Sequence, residues 1–208
     1  MKSDLSKKCE SVFEMISVEG VRPRLLLHAC CAPCSSYVIE YLEPHFDLTL
    51  FFYNPNITQE EEFIKRYSEL KRFVDERWGG QIPIICPPFK PDEYLSAVFG
   101  LENLPEGGKR CFKCYSLRLE ATARVAADAG FRYYCTTLSV SPYKNAEALY
   151  EIGSRLGEKM GVMYLPSDFK KKDGYKRSIE LSREYGLYRQ DFCGCPFSEE
   201  EAKKRREG

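Results

Sequence analysis

The chain of 208 residues is long enough for one domain with a sizeable core, and 43% of its residues are hydrophobic. Its 31 Lys and Arg residues balance 31 Asp and Glu residues, so binding to nucleic acid would require a local basic patch. The sequence lacks a signal peptide and a run of about 18 apolar residues, so we expect no membrane span and a cytoplasmic location.

Apolar runs alternate with amphipathic patterns along the chain. The predicted strands cover residues 24–28, 46–53, 81–86, 133–140 and 162–165. The predicted helices cover residues 37–42, 58–78, 92–99, 109–129, 144–160 and 173–185. Ser35-Ser36 is expected to cap the first helix, and Thr58 with Glu61 to form a capping box at the second.

This order predicts a single α/β domain over residues 1–208, with a mostly parallel, Rossmann-like sheet and flanking helices. Residues 189–198 are expected to be irregular, and residues 199–208 to form a charged tail. Ligands of open parallel sheets bind beyond the carboxyl ends of the strands. Cysteines follow the first predicted strand and Lys144 follows the fourth, so we expect them to converge there.

Three tight groups of cysteines are the main chemical signal: Cys30-Cys31 with Cys34 three residues on, Cys111 with Cys114, and Cys193 with Cys195. Cytosolic cysteines spaced in this way indicate a metal or redox site. The four thiolates of Cys30, Cys31, Cys111 and Cys114 match the number that a [4Fe–4S] cluster takes, or a tetrahedral zinc ion. The adjacent Cys30-Cys31 pair is an awkward chelate for one small ion and favours the cluster.

The Cys193-Gly-Cys195 segment has several interpretations. The pair suits a strained disulfide that acts as a redox relay, or ligands to a second metal that Asp191 could also bind. The alternatives are two structural thiols and a solvated loop carboxylate. Cys34 is either a ligand in place of Cys30 or Cys31, or a packed thiol at a helix start.

The remaining candidates have plainer interpretations. Cys86 and Cys135 are expected to be buried, and Cys9 to be a surface thiol. His28 is expected to be a hydrogen-bonded core histidine rather than a ligand. Lys144 is either a proton donor, a phosphate contact or a surface lysine.

The turn after the first strand contains no glycine, which disfavours ATP binding there.

Local basic clusters are candidates for RNA contacts, although charge runs are usually solvated surfaces. The residues proposed for this role are Lys109, Arg110, Lys170, Lys171, Lys172 and Lys176.

Four motifs, in this order, resemble the epoxyqueuosine reductases of the QueH type. They are HACCAPCSS from His28, RCFKCYSLRL from Arg110, TTLSVSPYKN from Thr136 and DFCGCPFS from Asp191. The resemblance covers residues 22–198, nearly the whole chain.

This resemblance implies a fold related to the adenine-nucleotide alpha-hydrolase (PP-loop) type and reduction of epoxyqueuosine to queuosine at the tRNA wobble position. It implies a [4Fe–4S] cluster on Cys30, Cys31, Cys111 and Cys114 and a redox-active pair at Cys193 and Cys195. A second metal ion, iron or zinc, has also been considered in the family.

Removal of the epoxide oxygen needs two electrons, from a donor that the sequence does not identify, and a proton donor such as Lys144 or Tyr143. Two other classes stay open: an ATP-dependent tRNA thiolation enzyme of the same fold, and a non-catalytic zinc-binding RNA module.

Overall fold

The computed structural model describes residues 4–207 and has one parallel sheet at its centre. The five strands are β1 (Arg24–His28), β2 (Asp47–Phe51), β3 (Ile84–Ile85), β4 (Tyr133–Thr136) and β5 (Met163–Tyr164), in the order β3-β2-β1-β4-β5. Every neighbouring pair is parallel. The predicted α/β class with a parallel sheet is confirmed.

Eight α-helices flank this sheet among the described residues. They are α1 (Leu5–Val18), α2 (Ala32–Leu42), α3 (Glu60–Trp78), α4 (Pro91–Ala97), α5 (Lys109–Asp128), α6 (Ala146–Met160), α7 (Gly174–Glu184) and α8 (Pro196–Glu207). None of the helices within residues 4–207 is both long and apolar enough to cross a membrane.

Hydrophobic residues are buried on both faces of the sheet, and the sequence of the central strand β1 reflects this. Leu25, Leu26 and Leu27 have no exposed surface, and β1 pairs with β2 on one side and β4 on the other. A parallel strand covered by helices on both faces needs such an unbroken apolar run. The strand order therefore reverses at β1, and a crevice for ligands is expected beyond its carboxyl end.

Helix α1 was not predicted. Leu5, Cys9, Phe13 and Ile16 form a buried stripe at helical spacing, and Asp4 caps the helix by accepting from the main-chain N–H of Lys7 at 3.4 Å. The expectation that Cys9 is a surface thiol is wrong, because its side chain is only 2% exposed.

Several predicted helix starts differ from the structure. Helix α2 begins at Ala32 instead of residue 37, so Ser35 and Ser36 lie inside it and cannot cap it. Their hydroxyls donate to main-chain carbonyls of the preceding turn. The capping box is also wrong, since α3 begins after Gln59 and no side chain caps it.

Other predicted segments are shorter or more ordered than expected. Strand β3 has only two residues, and the predicted fourth strand turns into a 3-10 helix over Thr137–Val140. Residues 199–207 of the predicted charged tail belong to α8, which begins at Pro196 inside the segment predicted to be irregular, and Ser198 and Ala202 are buried there. The last residue of the predicted tail lies outside the described residues.

Candidate metal and redox centre

The first cysteine group lies in the turn between β1 and α2, at the crevice where the strand order reverses. Cys31 is the residue that precedes the first turn of α2, and Cys34 lies one turn further on. The sulfurs of Cys30, Cys31 and Cys34 all lie within 4.8 Å of one another. The Cys30 and Cys31 sulfurs are 3.8 Å apart, far longer than the roughly 2 Å of a disulfide.

Local hydrogen bonds and charge favour a thiolate at Cys31. Hydrogen bonds from the Cys30 and Cys34 thiols lower the pKa of Cys31 well below its ordinary value, and burial opposes them. The nearby Arg66 charge and the main-chain N–H of Cys34 lower this pKa further. The positive end of α2 thus stabilises negative charge on sulfur.

The second cysteine group lies at the start of α5. The main-chain N–H of Gly107 donates to the Cys111 sulfur at 3.2 Å. Burial raises the pKa of Cys111, and it raises the pKa of Cys114 to about 12. These pKa values describe thiols without metal; a bound cation would bring them down.

Arg118, one turn after Cys114 on α5, lies between the first two cysteine groups. Its guanidinium donates to Asn54 Oδ1 at 2.5 Å, to His28 Nε2 at 3.2 Å and to the Cys114 sulfur at 4.0 Å. Its charge also opposes the rise in the pKa of Cys30 that the hydrogen bond with Cys31 and burial produce. Both groups therefore share one buried positive charge.

His28 is a hydrogen-bonded core residue, as expected. It has no exposed surface, and its Nδ1 lies 2.8 Å from Thr136 Oγ1. His28 Nε2 lies 3.2 Å from Arg118 Nε, which can only donate, and 3.0 Å from the carbonyl oxygen of Tyr53, which can only accept. Burial lowers the pKa of His28 to about 3, so the imidazole is neutral.

The turn that carries the third cysteine group is held in place by hydrogen bonds to its main chain. The carbonyl oxygen of Cys193 accepts from Arg66 Nη1 at 3.2 Å and from Asn56 Nδ2 at 3.3 Å. Cys195 precedes α8, and its sulfur accepts from the main-chain N–H of Ser198 at 3.4 Å. All ten cysteines are free thiols, so the structure does not support the predicted disulfide.

Gly194 is required between the two cysteines. Its φ is +107°, and a Cβ there would lie 2.9 Å from Ile57 Cγ1 and 3.0 Å from Arg66 Nη1. Only glycine lets the turn lie against the Arg66 guanidinium.

A cavity of about 480 Å³ adjoins these thiols, a size that suits a nucleoside. Its lining includes Cys30, Cys31, Cys34 and Cys193. Cys111, Cys114 and Cys195 line a second, much smaller cavity. Cys193, Lys144 and Glu106 belong to both walls, so the two cavities adjoin. Among the described residues, the three sulfurs that all lie within 4.8 Å of one another are those of Cys30, Cys31 and Cys34, and the predicted ligands Cys111 and Cys114 lie outside that group.

Lys144 is a buried cation in the wall shared by both cavities. Its Nζ lies 2.8 Å from Glu106 Oε1, and its side chain is 6% exposed. Burial lowers the pKa of Lys144, but its interactions with Cys193, Tyr115 and Glu106 outweigh burial and raise it above its ordinary value. Tyr143, in contrast, is 78% exposed at the cavity edge.

Asp191 lies at the cavity wall with its carboxylate 3.1 Å from Arg206 Nε, and both side chains are 57% exposed. Cys135 is buried as expected, whereas Cys86 is only half-buried.

The residues predicted to contact RNA differ in how exposed and how engaged their side chains are. Arg110 is 2% exposed and donates to the carbonyl oxygens of Glu102 and Leu104, so little of its guanidinium is accessible to a phosphate. Lys170 pairs with Asp168 and Lys172 with Glu10. Lys109, Lys171 and Lys176 are exposed.

Sequence reasoning missed two arginines that organise the centre, Arg66 and Arg118. Both are buried, at 2% and 1% exposure. The sequence pattern that could have identified them is their helical spacing relative to apolar residues. Arg66 lies between Phe63 and Leu70 on the apolar face of α3. Arg118 occupies the same kind of position on the buried face of α5.

Together, the parallel sheet and the clustered thiols define an α/β protein with a cysteine-rich site beside a nucleoside-sized cavity. The family model described as "Epoxyqueuosine reductase QueH" matches residues 25–201. The chain belongs to the epoxyqueuosine reductase QueH family.

Curated relatives agree with this assignment. The chain is 42% identical over 183 residues to "Epoxyqueuosine reductase QueH" of Streptococcus pyogenes serotype M1, covering 86% of this chain and 72% of that protein. It is 37% identical to the Staphylococcus epidermidis protein of the same name, covering 95% and 85%, and 36% identical to the Thermotoga maritima one, covering 84% and 89%.

A solved structure shares the fold. The U34-tRNA thiolase NcsA from Methanococcus maripaludis, described with its [4Fe-4S] cluster, superposes with a TM-score of 0.53 and 16% identity. The match covers 98% of this chain and 72% of that one. The likeness shows the fold alone.

Proposed function

We propose that this protein is an oxidoreductase that converts epoxyqueuosine at the tRNA wobble position to queuosine. One observation carries the proposal: Cys30, Cys31, Cys34 and Cys193 line a 480 Å³ cavity, and the adjoining small cavity is lined by Cys111, Cys114 and Cys195, in a chain of the QueH family. A cavity of this size can take a nucleoside extruded from the anticodon loop. The reaction takes place in the cytoplasm, where thiols stay reduced.

The donor set fits an iron–sulfur cluster. All the convergent ligand atoms are soft thiol sulfurs, Cys31 is poised as a thiolate, and the buried Arg118 offsets negative charge. We assign the [4Fe–4S] cluster to Cys30, Cys31, Cys111 and Cys114. Cys34 lies close enough to replace one of these, which makes it the main competitor for the assignment.

When bound, such a cluster supplies electrons and Lewis acidity. An epoxide, two electrons and two protons give an alkene and water, so the site must also supply protons. Lys144 holds a proton at Nζ inside the cavity wall, beside Cys193 and Glu106, and is the better placed donor. The exposed Tyr143 phenol is the other candidate, or a surface on which a base can stack.

The pair Cys193 and Cys195 has two roles in the proposal. It relays electrons from a donor protein or small reductant that is not identified, or it binds a second iron or zinc ion. Asp191 can join such a metal only if its carboxylate leaves Arg206, and an exposed pair of this kind costs little to break.

A tRNA thiolation enzyme is the second candidate, favoured only by the shared fold. The turn from β1 into α2 presents cysteine side chains where an ATP-binding loop needs bare main chain. A zinc-binding RNA module would share the thiols but would not absorb near 400 nm.

The test is anaerobic incubation of the reconstituted protein with tRNA that contains epoxyqueuosine and with dithionite. Nucleosides from digested tRNA are then separated by mass spectrometry. We expect epoxyqueuosine to be replaced by a nucleoside lighter by one oxygen atom. A brown protein with full iron content that leaves epoxyqueuosine unchanged would contradict the proposal.

A further inference from the structure

The large cavity carries an excess of positive charge at its rim. Five cations line it, Arg66, Lys144, Arg189, Arg205 and Arg206, against two carboxylates, Glu106 and Asp191. Both carboxylates are already engaged, Glu106 by Lys144 and Asp191 by Arg206. Arg66 is buried and paired with Glu62 at 2.6 Å.

This leaves Arg189 and Arg205. Neither belongs to an ion pair with any residue in the part of the chain that the structure describes. Both are exposed, and each donates a hydrogen bond to a neutral acceptor, while the Arg189 guanidinium also lies over the Tyr175 ring, 6.0 Å from its centroid. Arg189 donates to Ser182 Oγ at 3.2 Å, and Arg205 donates to the carbonyl oxygen of Asp191 at 3.4 Å.

Asp191 connects α8, which carries Arg205, to the loop that carries Arg189. Its main-chain carbonyl receives Arg205 and its carboxylate receives Arg206, so the last turns of α8 are fastened to the loop that leads to Cys193. Arg189 lies two residues before Asp191 on that loop. Two guanidinium groups without carboxylate partners therefore stand at the cavity rim, beside the thiol centre.

We propose that Arg189 and Arg205 form a phosphate clamp that holds the RNA backbone next to the reacting nucleotide. The inference rests on the proposed function and names how the same cavity takes an RNA substrate. Guanidinium groups suit phosphate oxygens because they can donate two parallel hydrogen bonds.

The rest of the lining fits the nucleotide attached to that phosphate. Tyr143, Tyr175 and Phe192 offer ring surfaces on which an unstacked base can lie. Cys30, Cys31, Cys34, Cys193 and Lys144 line the same cavity, and the modified part of the base must reach this part of the wall to react. None of the lysines 170, 171, 172 and 176 lines this cavity.

The experiment uses fluorescence anisotropy of an anticodon stem-loop RNA with unmodified guanosine at the wobble position, across a range of potassium chloride concentrations. Because binding is measured without turnover, the readout does not require a loaded cluster. Each of Arg189→Gln and Arg205→Gln should lower the slope of log affinity against log salt by about 0.7, the value for one phosphate contact in single-stranded RNA.

Two further variants sharpen the test. Arg205→Lys keeps the charge and should keep the salt slope while losing affinity, since lysine cannot donate the paired hydrogen bonds. Lys203→Gln is the matched control on α8, because Lys203 pairs with Glu199 and does not line the cavity; its slope should stay at the wild-type value.

An unchanged salt slope in the Arg189→Gln, Arg205→Gln double variant would overturn the clamp. If that variant still forms queuosine, the proposed function stands without it. If the slopes change as expected but the wild-type protein makes no queuosine, the clamp stands as an RNA site and the proposed reaction is wrong.

Discussion

Arg66 and Cys193, 127 positions apart in the chain, meet through a hydrogen bond of 3.2 Å from the guanidinium to the main-chain carbonyl. The same guanidinium lowers the pKa of Cys31. One buried arginine therefore fixes the turn that carries Cys193 and Cys195 and stabilises charge on the first cysteine group.

Because the Cys193 turn lies against Arg66, we expect Gly194→Ala to lower stability and product formation together. The added methyl would lie 2.9 Å from Ile57 Cγ1 and 3.0 Å from Arg66 Nη1, in a backbone conformation that L-residues avoid. Gly186→Ala is the control, since Gly186 also has positive φ but has open space around it. Denaturant unfolding should show about 1–2 kcal/mol of loss in the control and more at Gly194. Equal losses would mean that the turn can move away from Arg66.

The ligand assignment predicts that Cys→Ser variants at Cys30, Cys31, Cys111 or Cys114 lose or alter the cluster after anaerobic reconstitution. Iron content and absorbance near 400 nm report this directly. Cys34→Ser is the decisive comparison, because its sulfur lies within 4.8 Å of both Cys30 and Cys31. A full cluster in Cys34→Ser supports the assignment. If instead Cys34→Ser loses the cluster while Cys30→Ser or Cys31→Ser keeps it, Cys34 is the ligand in place of that residue. Cys86→Ser is the neutral control.

The third cysteine group should be separable from the cluster. If these thiols relay electrons or bind a second metal, Cys193→Ala and Cys195→Ala should keep the iron of the four-iron cluster and lose turnover. Turnover is measured with dithionite and again with a protein donor. Wild-type rates in the double variant with both reductants would refute both roles.

Lys144→Gln should slow product formation by roughly 10²–10⁴-fold if Lys144 is the proton donor. RNA affinity should change little, because Lys144 is buried and paired with Glu106. Lys170→Gln serves as control, since Lys170 donates to the Lys144 carbonyl but pairs with Asp168 outside the cavity. A normal rate in Lys144→Gln would transfer the role to Tyr143 or to water.

Cys9 gives a prediction about alkaline pH that does not involve the centre. Burial raises its pKa to about 12, while an unfolded thiol ionises near 9.0. Above pH 9 the unfolded chain therefore releases a proton that the folded chain retains, and stability falls by up to about 1.4 kcal/mol per pH unit. Urea unfolding at pH 8 and pH 10 should show a smaller loss for Cys9→Ala than for the wild-type protein. Identical losses would show that Cys9 ionises normally in the fold.

The parts of the fold that the sequence predicts are those with strong local signals. Leu25–Leu27 predicted the central strand because a buried parallel strand must be apolar throughout. The capping box failed because Thr58 and Glu61 match a local pattern, whereas the chain enters α3 only at Glu60. Tertiary packing decides such boundaries.

The sequence predicted which cysteines belong to the candidate site, but it did not predict how they are arranged in space. Short spacings fixed which thiols lie together, and strand order indicated which end of the sheet they share. Which sulfurs approach most closely depends on how α2 and α5 are placed, and Cys34 joins its group because α2 starts five residues earlier than expected. The buried positions of Arg66 and Arg118 were not predicted, because a charged residue normally indicates a position on the protein surface.

Cys31, Cys111 and Cys195 each lie at the beginning of a helix, so three helix starts surround the thiols. In α/β proteins that bind nucleotides, the helix that follows the first strand commonly begins at a phosphate. The partial positive charge of a helix end does not distinguish phosphate from thiolate. A few side chains in the turn between β1 and α2 can therefore decide whether such a scaffold handles nucleotides or electrons, with the sheet beneath left unchanged.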